Sequence, residues 1–479
     1  MADKSNIRFG CIPFGLPAEV RNMIYKYYLP VDGGYIFDNA AFASSGRFRL
    51  MNADCTPVRQ DLMFTCKAGL EMRGLGLHLN GITFTTVDTG EDRWKHYRFE
   101  FRWMLNLAEP REYVVHYVGG CLKPLSIKKL KEGFPQFAPL VDLMTAEGTN
   151  PNPRWRRRTY GEAPSVYWRF VKRVLEYAQR DEPDRVVRAI NQAWRGRQTE
   201  LPQWSAGTSV DVDSIINCSL EPWDFPSATN LAELNRLGTV NPQFMPRFGP
   251  DMNILDQKPR RMSAAIRKIV LDEDRVAGFL SRRHALGFVE ICKRNPRLRI
   301  ERRVCLWGKV FCHQTQNLDG RIRASWLRSR AVATALSGWI VEALSLTDAG
   351  MPPGSFTLLL DGTPFTRVSE GMFKTSVWHA VTWQEARDRC LQRSANHLGF
   401  SWFDLRGERT RPANVATYTY GNDDAWFLGY TFKGFPQAVR DIASGSSIVN
   451  VNFDFGTPPV DRRRDAWING VSQHWNRQV

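Results

Sequence analysis

The stretch from Leu298 to Leu306 constrains the fold most, because its side chains alternate between two chemical types. One set is Leu, Ile, Arg, Val and Leu, whereas the other is Arg, Glu, Arg and Cys. Alternation with a period of two indicates a β-strand with one face buried and the other charged. Arg302 is the exception on the buried face. We therefore predict an edge strand or a one-sided strand at this position.

Helices and strands alternate along the rest of the chain without a fixed repeat length. Capping residues predict helix starts at Ser165, Asp184 and, through a capping box, Thr382. A further long helix is predicted from Ala324 to Leu346. The β-rich runs are Gly81 to Val87, Glu112 to Val118, Phe356 to Gly362, Ala425 to Phe432 and Val451 to Phe455. The pattern predicts an α+β fold, and a degenerate leucine-rich-repeat-like array is one arrangement compatible with it.

Two proline-rich stretches suggest where the chain divides. They are Thr149 to Trp155 and Asn241 to Pro250, and both interrupt helices and central strands. The length of 479 residues corresponds to about three domain-sized units. We predict segments at 1–90, at 91–240 with helices at 165–195, and at 250–479 with an α+β body.

The first ninety residues predict helix, insertion, helix and strand. In Leu16 to Tyr28, apolar residues recur at helical spacing, with Pro17 at the first helical position. They are Leu16, Val20, Ile24 and Tyr27 or Tyr28. A second helix is expected to begin at Thr56-Pro57 and to end at Gly74 and Gly76. Its apolar face carries Leu62, Cys66 and Leu70.

Two adjoining runs carry a family resemblance. LPAEVRNMIYKYYL, followed by DLMFTCKAGLEMRGLGLHLNGITFTT, resembles the opening of the fungal F-box-like proteins. The later runs FVEICKRNPRLRIERRVCLW and MPPGSFTLLLDG are also similar to that family. The resemblance implies an N-terminal F-box-like element that docks onto the small adaptor protein of cullin-type ubiquitin ligases. The irregular α/β body that follows would then select a target protein.

The residues that would make the docking contact are Leu16, Pro17, Val20, Ile24 and Tyr28. A structural reading of the same stripe stays open, in which it packs beneath Cys66 and Leu70 of the second helix. The two readings differ in whether the stripe meets solvent.

Positive charge is concentrated in one part of the chain. The formal net charge is +16, and residues 258–330 hold 19 Lys and Arg against 6 Asp and Glu. We define the predicted basic patch as Arg156, Arg157, Arg158, Arg282, Arg283, Arg302 and Arg303. Such a patch binds nucleic acid through counterion release, binds an acidic or phosphorylated protein, or acts as an import signal. Charges that are merely solvated are the remaining alternative.

No catalytic constellation is evident in the sequence. Phosphate-binding loops, nucleophile elbows and metalloprotease helices are missing at the level of motifs. Cys305, Cys312 and His313 come nearest to a metal site, yet their spacing matches no standard zinc module. We therefore predict a protein that is not an enzyme and has no cofactor or metal.

The sequence also predicts an intracellular protein without a membrane span. The nine cysteines are scattered, as expected in a reducing compartment. The N-terminus is polar, and the longest apolar run, Ala331 to Leu346, is too short to cross a bilayer. We expect a cytoplasmic or nuclear protein that acts through a ligase adaptor or, as the alternative, through nucleic acid or an acidic protein.

Overall fold

The computed structural model describes residues 17–38, 41, 49–58, 72–85, 111, 114–146, 162–200, 216, 265–274, 281–311, 329–385 and 431–456. Strands in these ranges are β1 (Tyr35–Phe37), β2 (Leu50–Asn52), β3 (Ile82–Thr85), β4 (Lys268–Glu273), β5 (Arg299–Cys305), β6 (Phe356–Asp361) and β7 (Val449–Val451). Helices are α1 (Ala18–Tyr28), α2 (Met72–Leu79), α3 (Pro124–Gly133), α4 (Ala138–Ala146), α5 (Pro164–Asp181), α6 (Pro183–Glu200), α7 (Val289–Arg294), α8 (Ser329–Leu344), α9 (Thr366–Met372) and α10 (Phe435–Ala443).

The described strands form one mostly parallel sheet. Its order is β2-β1-β3-β4-β5-β6-β7, and only the β1 and β2 pair is antiparallel. From β3 onward, each strand lies next to the strand that follows it in the chain. The expected mixture of helices and strands is confirmed, as a mixed α/β fold with a seven-stranded sheet among the described residues.

The predicted strand at 298–306 is confirmed, together with its one-sided character, whereas the alternative of an edge strand is wrong because β5 pairs with β4 on one side and β6 on the other. Ile300, Arg302 and Val304 of β5 are buried, whereas the residues between them are partly exposed. The same alternation runs along β6. We call the partly exposed side the open face of the sheet. It carries Glu301, Arg303, Cys305, Thr357, Leu359 and Asp361.

Two apolar cores are built from different parts of the chain. The larger core joins the buried face of the sheet to α8, α10 and the 3-10 segment Ser281–Phe288. The smaller core contains residues of 114–190 together with Ile216, and it packs α3, α4, α5 and α6 together. The predicted segments 1–90 and 250–479 thus both contribute strands to one sheet, while much of the middle segment has a core of its own.

The prediction of a β-rich run at 112–118 is wrong. Residues 115–117 form a 3-10 turn, and no described residue of the run is extended. Val114, Val115 and Val118 are all fully buried in the smaller core. Burial on every side favours β-branched residues without requiring a strand, so composition alone misled the prediction.

Several predicted helix boundaries also differ in the structure. Thr382 lies inside a helical stretch, where its hydroxyl donates to the Trp378 carbonyl at 2.9 Å, so the capping box starts no helix. Pro57 forms an isolated antiparallel bridge with Met51. Gly74 and Gly76 lie within α2. Leu62, Cys66, Leu70 and most of the predicted strand 425–432 lie outside the described residues.

Candidate functional site

The inner face of α1 packs on α2. Tyr25 and Leu29, one helical turn apart, are buried and contact Leu75 and Leu79 of α2. Side chains four residues apart lie on the same side of a helix, so this pair defines the side of α1 that faces the protein.

Asn80 ties the end of α1 to the end of α2. Its side-chain oxygen accepts from the Val31 N–H at 2.7 Å, and its amide nitrogen lies 2.9 Å from both the Leu29 and Gly76 carbonyls. The residue is buried, so these bonds are shielded from water. The orientation of α1 is therefore set at its C-terminal end by one side chain.

The outer face of α1 is apolar and exposed. Val20 is 40% exposed, Met23 60% and Tyr27 88%. Their spacing of three and four residues places them on one side of the helix. We call Val20, Met23 and Tyr27 the α1 stripe. Exposed helix faces are normally polar, so a run of three large apolar side chains suggests a contact with another molecule.

The structure places part of the predicted docking set on this surface. Pro17 and Val20 are exposed. Leu16 and the side chains of Ile24 and Tyr28 lie outside the described residues. Met23 was missed because the predicted stripe advanced in steps of four, whereas the exposed face follows steps of three and four. Recognising Tyr25 and Leu29 as the buried pair would have indicated which side of the helix faces the protein and which side faces solvent.

The predicted basic patch does not form one surface in the described part of the chain. Arg302 and Arg283 are buried, so neither belongs to a surface patch, contrary to the prediction. Arg303 faces the open face and binds Glu301 at 2.6 Å. Arg282 lies against Gly338, where an added Cβ would come within 2.3 Å of its Nη1. Arg156, Arg157 and Arg158 lie outside the described residues.

Arg302 belongs to a buried charged cluster beneath α8. Its Nε and Nη2 atoms bind the two carboxylate oxygens of Glu273 at 2.7 and 3.0 Å. Lys309 binds the same carboxylate. The Arg302 guanidinium also lies 5.0 Å from the centre of the Trp339 ring. We call Glu273, Arg302 and Lys309 the buried triad.

The electrostatics of the triad follow from its burial and its two cations. Burial by itself raises the pKa of Glu273, but Arg302 and Lys309 lower it to about 2. The carboxylate is therefore ionised at neutral pH. The three charges neutralise one another in part where the sheet packs on α8. Their burial is therefore explained without a ligand.

A second buried carboxylate lies where the two cores meet. Glu342 of α8 accepts from the Ser165 N–H at 3.1 Å, in the first turn of α5. The prediction of Ser165 as the N-cap of α5 is therefore wrong, because Ala163 holds that position. Burial raises the pKa of Glu342, although the Ser165 hydrogen bonds and the cations Arg283 and Arg282 lower it.

In the sequence, Cys305, Cys312 and His313 come nearest to a metal site. Cys305 accepts from the Gly308 N–H at 3.3 Å and lies 3.5 Å from the Thr363 carbonyl. Cys312 and His313 lie outside the described residues. Within the described ranges, no three metal-ligating side chains come together.

Comparisons with protein-family models, with curated proteins and with solved structures returned no match for this chain. Within the described ranges, no helix combines the length and the apolar character needed to cross a bilayer.

Proposed function

We propose that this chain is an intracellular protein-protein interaction protein that docks onto a partner through the α1 stripe. The observation that carries the proposal is the exposure of Val20, Met23 and Tyr27 on a helix whose opposite side packs on α2 through Tyr25 and Leu29. A helix held on one side and apolar on the other is a typical docking element.

The partner proposed is the small adaptor protein of cullin-type ubiquitin ligases. The support is the F-box-like resemblance of LPAEVRNMIYKYYL, which contains the whole of the α1 stripe. The chain would then be a substrate receptor, and its body would recognise the target.

The form of the sheet supports a receptor role for the body. Parallel strands follow one another in chain order, and one face of the sheet is left partly exposed. Leucine-rich-repeat-like arrays share this arrangement, and they use their exposed surfaces to bind other proteins.

A pull-down with the purified adaptor tests the docking contact. We expect Tyr27→Asp and Met23→Asp in the full chain to weaken retention by at least about tenfold, because an apolar contact is replaced by a desolvated charge. Leu125→Asp is the matched control, since Leu125 is an exposed apolar residue of α3. It should bind as the native chain does.

Two results would refute the docking proposal. One is a native chain that the adaptor does not retain, and the other is equal retention of Tyr27→Asp and the native chain. Circular dichroism of each variant checks that the fold is kept, which the exposure of both side chains favours.

The nucleic-acid alternative receives less support. Of the cations in 258–330, Arg302 and Lys309 are buried on Glu273, while Lys268 and Arg303 both bind Glu301. Arg302 and Lys309 are therefore withheld from phosphates, and Lys268 and Arg303, although partly exposed, are each paired with Glu301.

A further inference from the structure

Glu342 is a buried carboxylate at the junction of the two cores, where α5 meets α8. It belongs to α8, and its Oε2 atom accepts from the N–H of Ser165, in the first turn of α5, at 3.1 Å. Both residues are buried, so water does not compete for this hydrogen bond. The contact joins an element of the larger core to an element of the smaller one.

The second oxygen of this carboxylate is poorly solvated. Oε1 of Glu342 is buried and has no hydrogen-bond partner in the described part of the chain. An ionised carboxylate in water accepts several hydrogen bonds through both oxygens. Burying it with one oxygen unpaired therefore costs much of its solvation energy, whereas burying the neutral acid costs far less. The environment of Glu342 favours the protonated form.

The groups around Glu342 offset this cost only in part. Arg283 and Arg282, in the 3-10 segment Ser281–Phe288, act on the carboxylate through their charge and lower its pKa. The hydrogen bonds from Ser165 lower the pKa as well. Burial outweighs all of these effects, so the pKa of Glu342 is raised above its ordinary value.

Other charged groups that pack on α8 are engaged elsewhere. Glu342 is the only ionisable residue of α8 between 331 and 344. On the sheet side, the cations of the buried triad meet α8 at Trp339 and share one carboxylate. Lys374, which follows α9, and Arg440 of α10 are each paired with a carboxylate. The pKa of Glu342 is therefore set by groups at the junction itself.

We propose that Glu342 makes the junction between the two cores sensitive to pH. Protonated Glu342 holds α5 against α8, whereas the ionised form places a negative charge with an unpaired oxygen inside the protein and favours opening. In an open junction, water solvates the carboxylate, and its pKa returns to about 4.3. The closed junction binds the proton more tightly. Closure is therefore strongest below about pH 4.3 and weakens as pH rises through the raised pKa.

This inference goes beyond the docking proposal and does not depend on it. It uses no residue of α1, and it concerns how firmly the helical core is held on the sheet. Opening of this kind is a local event, which hydrogen exchange detects without unfolding of the whole chain.

Hydrogen exchange of residues 163–171 in the full chain, measured by mass spectrometry over a range of pH, tests the inference. After correction for the intrinsic exchange rate, protection in the native chain should fall about tenfold per pH unit between about pH 4.3 and the raised pKa. Glu342→Gln places a neutral amide at the same position and should not show this decline. Glu176→Gln is the matched control. It alters a carboxylate of α5 that binds Arg173 at 2.9 Å outside the junction, and it should behave as the native chain does.

Ser165→Ala provides a second test of the same group. The substitution removes a hydroxyl that lowers the pKa of Glu342 and keeps the backbone N–H. The decline in protection should therefore continue to a higher pH than in the native chain.

Two results would overturn the inference. One is the same pH dependence of protection in Glu342→Gln and in the native chain, and the other is a decline that ends at the same pH in Ser165→Ala and in the native chain. Both substitutions nearly conserve side-chain volume, and circular dichroism checks the fold of each variant. If Glu342→Gln does not fold, the comparison with Ser165→Ala decides.

Discussion

At the scale of single residues, the buried triad is the most unusual feature of the described chain. Arg302 and Lys309 are almost completely buried, and both bind the carboxylate of Glu273. Charged side chains are rarely buried without a partner, because removing them from water costs several kcal/mol. Glu273 therefore stabilises two cations that the fold has already enclosed.

Replacing Glu273 should destabilise the protein strongly. We expect Glu273→Ala to lower the free energy of unfolding by about 3–5 kcal/mol, because two buried cations lose a shared carboxylate. Urea unfolding followed by circular dichroism measures the change. The control is Glu290→Ala, where an exposed ion pair with Lys293 is lost at a cost of about 0–1 kcal/mol. Equal losses in the two variants would show that the triad contributes no special stability.

The same residue makes stability depend on acid pH. The pKa of Glu273 is lowered to about 2, whereas an unfolded glutamate has a pKa of about 4.3. Between these two pKa values, the unfolded chain binds more protons at Glu273 than the folded chain does. The stabilisation from Glu273 is therefore complete above the unfolded pKa and is lost as pH falls through the folded pKa. The gap in stability between the native chain and Glu273→Gln should narrow over this range. A stability difference between the two proteins that does not change with pH would contradict the lowered pKa of Glu273.

At the scale of elements, α1 shows how a helix is fixed on one side and left open on the other. In the described part of α1, Tyr25 and the C-cap residue Leu29 are the buried side chains that pack on α2, and helices in proteins gain most of their stability from such packing. The three hydrogen bonds of Asn80 add a polar fixing point at the helix end. The position of the α1 stripe therefore depends on Asn80.

Removing the Asn80 side chain should loosen α1. We expect Asn80→Ala to cost about 2–4 kcal/mol, because it leaves the Val31 N–H and the Leu29 carbonyl without these bonds. Hydrogen exchange of residues 18–31, measured by mass spectrometry, should become faster than in the native chain. Asn450→Ala, at an exposed position of β7, serves as the control and should leave this exchange unchanged. Unaltered exchange in Asn80→Ala would mean that α1 is held by α2 alone.

The elements differ in how far the sequence predicted them. β5 was predicted because alternation is a local signal with one structural meaning, whereas β6 was predicted from its β-rich composition. The run at 112–118 was misread, because fully buried β-branched residues have no alternation to distinguish a strand from a turn. Thr382 was misread because its hydroxyl bonds the carbonyl four residues earlier, a choice open to any threonine within a helix.

At the scale of the whole molecule, the two cores meet at Trp168 of α5. Trp168 is buried, yet it belongs to neither apolar cluster. The guanidinium groups of Arg111 and Arg283 each lie 5.5 Å from the centre of its ring. Together with the contact between Glu342 and Ser165, this ring joins the helical core to the sheet.

Truncating Trp168 should uncouple the two cores. We expect Trp168→Ala to lose about 3–5 kcal/mol and to split thermal unfolding into two transitions, since the loss falls at the junction. Differential scanning calorimetry measures this. Trp378→Ala removes a tryptophan from inside the larger core and should lower the melting temperature without a second transition. A single transition for Trp168→Ala would argue against two separable cores.

The sequence by itself determined the one-sided strand at 298–306, the helix after Pro17 and the placement of Arg302 on a buried face, because each depends on the spacing of near neighbours. Only the tertiary structure decided that Glu273 binds Arg302 across 29 positions and that Glu342 meets Ser165 across 177. It likewise decided which side of α1 remains open. Such contacts depend on how distant segments pack, and no local pattern encodes that packing.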